Sequence, residues 1–207
     1  MSWRRDYLEA QFPNYDYHNG PGWLCDYRVK ENRQYVAMQL QCFPYYWCQK
    51  LCAESGEPAL SLGTPGLPFC LTVMPERGQL GHLWHQPSSV HLVFELASFP
   101  LIIASAAIPS LPCTGIRGTC TGSELVSTVR RWLTLLKPGG ILAAIVLDEQ
   151  YAKEAGGSLL EIKQFSHTWS ASRFLRYVLE PLGADAVLEE FDTLKNNFAF
   201  DVVLRKV

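Results

Sequence analysis

The segment TGSELVSTVRRWLTLLKPGGILAAIVLDE, residues 121–149, constrains this chain's fold more than any other. Thr121 and Glu124 have the spacing of a helix capping box, in which each side chain satisfies a free backbone N–H of the first turn. Leu125, Val129, Trp132, Leu133 and Leu136 then recur at helical spacing and form one apolar face. Pro138, Gly139 and Gly140 stop that helix. Residues 141–147 are apolar without alternation, the pattern of a strand buried on both faces. A helix that turns directly into a doubly buried strand predicts an α/β sheet with helices on its faces.

The remaining chain reads the same way. Short apolar runs at 58–63, 69–74, 90–95 and 101–107 predict four more buried strands, with a short helix over 75–85. Residues 170–182 predict a helix with Phe174, Leu175, Val178, Leu179 and Leu182 inward, Pro181 in its last turn and Gly183 after it. Residues 186–191 and 198–204 alternate better and predict an antiparallel pair at one edge of the sheet. Upstream, Val36, Leu40, Phe43, Trp47 and Leu51 form a helical stripe over 35–55 that Pro44 kinks or divides. Cys48 and Cys52 share one face of it, which predicts buried small apolar side chains.

These segments together resemble class I S-adenosylmethionine-dependent methyltransferases. LKPGG is a frequent hinge in that family between a helix and the fifth strand. The runs FSHTWSASRFLRYVLEPLGADAVLEEF and FAFDVVLRKV resemble its last helix and two final strands. FPLIIASAAIPSLP resembles the fourth strand with the loop after it, and VHLVFELASFP the third strand with its acidic turn. The resemblance implies a Rossmann-like, mostly parallel sheet with an antiparallel last strand. It covers residues 58–207, so the expected organisation is an aromatic-rich extension and helix over 1–55 and a methyltransferase-like domain over 56–207.

In such sheets the ligand lies at the carboxyl ends of the strands, where strand order reverses. The loop after the first strand is then SLGTPGLPF, residues 61–69. The family places an acidic residue and a glycine-rich turn there, because the backbone must approach the ligand closely. Gly63 and Gly66 match two glycine positions, while Ser61 stands where the acid is usual. Met74 stands where a ribose-binding carboxylate is expected, with Glu76 two positions later. Met74 is eight positions after Gly66 and Pro68 lies between, too little chain for the usual helix. The resemblance implies S-adenosylmethionine bound by Gly63, Gly66, Glu76 and Glu95, with Glu95 on the adenine amino group. The same departures fit a structural turn in a lapsed site, leaving two readings: a methyltransferase acting on a small molecule, or a binding or assembly module.

Methyl transfer to oxygen calls for a base, and His167, between the fifth strand and the last helix, is the candidate. His18, Asp148 and Arg117 are candidates for substrate contact, each with an ordinary surface or capping role as the alternative. His82, His85 and His91 lack a nearby cysteine pair and are not read as metal ligands. About half of the chain's aromatic residues fall in the first 50 positions, which suits packing on the sheet, a substrate lid or a protein partner. The net charge of -2 and the lack of an Asn-Pro-Pro-Tyr-like motif argue against a nucleic-acid substrate. Glu95, Pro100 and Pro109 interrupt the most apolar window, and the first residues lack an apolar core segment, so no membrane segment is expected. Seven cysteines without a C-x-x-C pattern predict reduced thiols and a cytoplasmic protein.

Overall fold

The computed structural model describes residues 44–62, 67–73, 94–105, 122–149, 169–193 and 199–207. Six strands among them form one sheet: β1 (Ala59–Leu62), β2 (Cys70–Val73), β3 (Phe99–Ser105), β4 (Leu136–Leu147), β5 (Ala186–Thr193) and β6 (Ala199–Lys206). Their order is β2-β1-β3-β4-β6-β5. β1 is parallel to β2 and β3, and β3 to β4, while β6 runs antiparallel to both β4 and β5. One reversed strand in a parallel sheet is the expected architecture. β6 lies inside the sheet and β5 forms the edge.

Both faces of β1, β3 and β4 are largely buried, as the unalternated runs predict, but β2 is not: Leu71 is exposed, with Cys70 and Thr72 half-buried. Leu60, Leu62, Ile102, Ala104, Leu142, Ala144, Val146, Phe200, Val202 and Leu204 line one face. Two helices cover that face. In α2 (Gly122–Leu135), Leu125, Val126, Val129, Trp132 and Leu133 are buried. The other helix, α3, begins as α-helix over Ala171–Phe174, widens to a π-helix over Leu175–Leu179 and ends as a 3-10 turn over Glu180–Leu182. The Ser170 side chain caps its start by accepting from the Arg173 N–H. The widening directly precedes Pro181, which cannot donate to the ladder and whose ring crowds the carbonyl four residues back. Phe174, Val178, Leu179 and Leu182 are buried as expected, whereas Leu175 is exposed because the wider turn rotates it outward. On the opposite face Ala59, Ser61, Leu101, Ile103, Ile141, Ala143, Ile145, Asp201 and Val203 are buried.

α2 passes into β4 with no connecting loop. Phe99 pairs with Leu136 but Leu101 pairs with Ile141, so Lys137–Pro138–Gly139–Gly140 bulge out opposite Pro100 alone. The last two carbonyls of the helix, which have no partner inside it, and two carbonyls just after it are met here. Ala97 N–H donates to Thr134 O and Ser98 N–H to Leu135 O, both at 3.0 Å. Lys206 Nζ donates to Leu136 O at 2.7 Å, and Arg205 donates to Gly139 O at 3.0 Å. Lys137 forms an ion pair with Glu57. Gly139 has φ +74°, and a Cβ on Gly140 would come within 2.9 Å of Lys137 O and 3.1 Å of Pro100 O.

The described part of the upstream helix, α1, covers residues 44–52. Trp47, Cys48 and Cys52 are buried, as their shared face predicts. The expected third strand lies outside the described residues except for Phe94 and Glu95, which are not strand. The capping residue Thr121 and the helix expected over 75–85 also lie outside them. No helix of the described residues is long and apolar enough to cross a membrane.

Because the two nearest atoms facing Gly140 are backbone carbonyl oxygens, relief requires the bulge itself to move. Gly140→Ala should lower stability by about 1–3 kcal/mol, read as a lower urea midpoint with unchanged slope; an unaltered midpoint would show that the bulge is slack.

Candidate functional site at the carboxyl edge of the sheet

β1, β2, β3 and β4 run parallel, so Leu62, Val73, Ser105 and Leu147 end at one edge of the sheet. From β1 the chain goes to β2 on one side, while β3 and β4 lie on the other. The order therefore reverses between β1 and β3, where Leu60 pairs with Ile102 and Ser61 with Ile103. A crevice at such a point is where open α/β sheets take ligands. β1 ends at Leu62, at the switch point, and Gly63 is the next residue in sequence.

The far side of this edge is built by a clasp that the sequence did not reveal. Asp148 forms a parallel bridge with Trp169 just beyond β4. Glu149 N–H donates to Trp169 O at 3.1 Å. The Glu149 carboxylate accepts from Arg173 at 2.9 Å, and the Arg173 guanidinium lies 5.3 Å from the Trp169 ring centre. Trp169 is buried and meets Phe174 edge to face at 5.9 Å. Asp148 is thus held half-buried at the carboxyl end of β4 by backbone pairing. This places the one described substrate-contact candidate on the ligand edge. The signal available in sequence was Trp169, a large ring directly before the Ser170 cap.

The structure separates Glu95 from that edge. Glu95 lies four residues before β3, and its carbonyl accepts from Ser98 Oγ at 2.6 Å. The adjoining Ala97 and Ser98 are bonded to the end of α2, beside the start of β4. Glu95 is therefore exposed at the amino-terminal edge. The length of β3, seven residues, separates it from the carboxyl edge, roughly 20 Å at the rise of a strand. That distance is too long for the expected contact of Glu95 with an adenine held at the carboxyl edge. Gly63, Gly66, Glu76, His18, Arg117 and His167 lie outside the described residues. Among the described residues there is no group of three or more His, Cys, Asp or Glu that could hold a metal ion.

Comparison with known proteins locates the architecture. No protein-family model matches the chain, and no curated protein matches it. Solved structures do. A DUF574-family protein from Streptomyces avermitilis superposes with a TM-score of 0.54 at 13% identity, covering 100% of this chain and 98% of that one. The trans-methyltransferase CalH, solved in complex with SAH, superposes with a TM-score of 0.53 at 12% identity, covering 99% of this chain and 66% of CalH. The chain has a class I methyltransferase-like fold.

Replacing an acid at the amino edge should leave ligand binding untouched. Glu95→Gln is expected to bind S-adenosylhomocysteine as the unmodified chain does, measured by calorimetry; a large loss of affinity would return Glu95 to the site.

Proposed function

We propose that this chain is an S-adenosylmethionine-dependent methyltransferase acting on a small molecule, with the cofactor at the β1–β3 switch point. The observation that carries this reading is the position of the glycine turn. It follows β1 directly at the only reversal of strand order in the described parallel strands, where the fold takes ligands. In sequence order the residues suit the cofactor. Gly63 and Gly66 allow the backbone close approach, and Glu76, three residues beyond β2, serves the ribose hydroxyls.

The cofactor supplies a methyl group already electrophilic on sulfur, so the protein's contribution is placement. Asp148 sits at the end of β4 to orient a substrate hydrogen-bond donor. His167, two positions before Trp169 in sequence, takes the proton of an oxygen nucleophile, while His18 and Arg117 contact the substrate. Residues 1–55 form an aromatic extension to the domain of residues 56–207.

A second reading is favoured by one observation. β1, β2 and β3 carry no carboxylate, and Glu95 lies at the other edge. That pattern suits a methyltransferase-like module that has lost the cofactor and binds a protein partner, for which the aromatic N-terminal segment is suited. Calorimetry of the full chain with S-adenosylmethionine and S-adenosylhomocysteine separates the two. Binding of both, abolished by Gly66→Trp, is the expected result. No heat at millimolar ligand would overturn the enzyme reading in favour of the module. Full binding by Gly66→Trp would move the site elsewhere.

A further inference from the structure

At the opposite edge of the sheet α1 meets β2 through sulfur. Cys48 Sγ and Cys70 Sγ lie 3.3 Å apart, although the residues are 22 positions apart in sequence. Both are free thiols, as is Cys52 one helical turn after Cys48. Cys48 and Cys52 are fully buried, while Cys70 is partly exposed at the start of the edge strand. Phe69, directly before it, has a left-handed φ of 60°, and its carbonyl accepts from Ala59 N–H at 2.7 Å. That contact ties the chain just before Cys70 to the start of β1, next to the sheet.

We propose that Cys48 and Cys70 form a reversible thiol–disulfide site that takes a low-molecular-weight disulfide as its oxidant and locks α1 to β2. The Sγ atoms are already in van der Waals contact, so closing to a bond of about 2.05 Å needs little more than side-chain rotation. Exposure and hydrogen bonding assign the order of events. Cys70 is the reachable thiol, and the hydrogen bond from Cys48 holds it below the usual thiol range. That same bond, together with burial, pushes Cys48 up, which keeps it protonated. The Cys70 thiolate attacks the external disulfide, forming a mixed disulfide and releasing one thiolate. The Cys48 sulfur then attacks Cys70 Sγ as its proton leaves, and the second thiol departs. Two protein thiols are oxidised, one small disulfide is reduced to two thiols, and the electrons balance.

The crosslink closes a loop from α1 through β1 to β2 and restricts the unfolded chain. It lies at the amino end of β2, so it acts on the attachment of α1 rather than on the glycine turn. The test is to incubate the native full chain with oxidised glutathione, quench with an alkylating agent, digest and map disulfides by mass spectrometry. The expected product is a Cys48–Cys70 linked peptide that dithiothreitol reverses, with a thermal midpoint raised by about 5–10 °C. In Cys48→Ala, glutathione should remain on Cys70. In Cys70→Ala, buried Cys48 should stay unmodified, which keeps the test available if either variant alone fails to fold. Recovery of Cys48 and Cys70 as separate alkylated or glutathionylated peptides from the native chain would overturn the proposal. So would glutathione reacting as readily with Cys48 in folded Cys70→Ala.

Discussion

The rest of the structure depends on how the end of α2 is closed. A helix that enters a strand without a loop leaves carbonyls facing a crowded interior, and leaving them unmet costs about 1–3 kcal/mol each. Here Thr134 and Leu135 are met by N–H groups from the chain entering β3, and Leu136 by Lys206 of β6. Two segments distant in sequence are thereby set against one junction. Leu135 and Leu136 are fully buried at that point, so apolar burial and polar closure act together. The bulge at Lys137–Gly140 then restores the register, letting β4 pair with β3 from Ile141 onward.

From that junction the site follows by geometry. β4 fixed against β3 and β6 places Asp148 beyond its end, and the pairing of Asp148 with Trp169 returns the chain to start α3. β3 fixed against β1 places the strand reversal at the end of β1, which Gly63 follows in sequence. The carboxyl edge and the junction lie at opposite ends of the same parallel strands. Fold and function are separable in such architectures, and the chemistry rests on side chains at the loops.

Much of this was legible in the residues. The unalternated runs at 58–63, 101–107 and 141–147 gave buried strands because burial on both faces removes polar alternation, whereas the run at 69–74 gave a strand, β2, on which Leu71 is exposed. Cys48 and Cys52 were legible as buried through their helical spacing. Glu95 was not legible. Its apolar neighbours look like a strand, but Phe94 packs edge to face on Phe99 at 5.1 Å, and Ala97 takes a left-handed φ of 54°. Both are tertiary choices that turn the chain into β3 without extending a strand at Glu95, and neither leaves a periodic signature. The Asp148–Trp169 bridge and the Cys48–Cys70 contact were invisible for a related reason: each joins positions some twenty residues apart whose meeting is set by the sheet.

The proposed sulfonium cofactor occupies the carboxyl edge at the β1–β3 reversal. Hydrogen–deuterium exchange of the full chain, with and without S-adenosylhomocysteine, tests it most directly. Ligand-dependent protection should appear in peptides spanning the end of β1 with Gly63 and Gly66, and the end of β3, while peptides around Glu95 at the amino edge stay unchanged. Protection confined to the amino edge, or none at saturating ligand, would contradict the account.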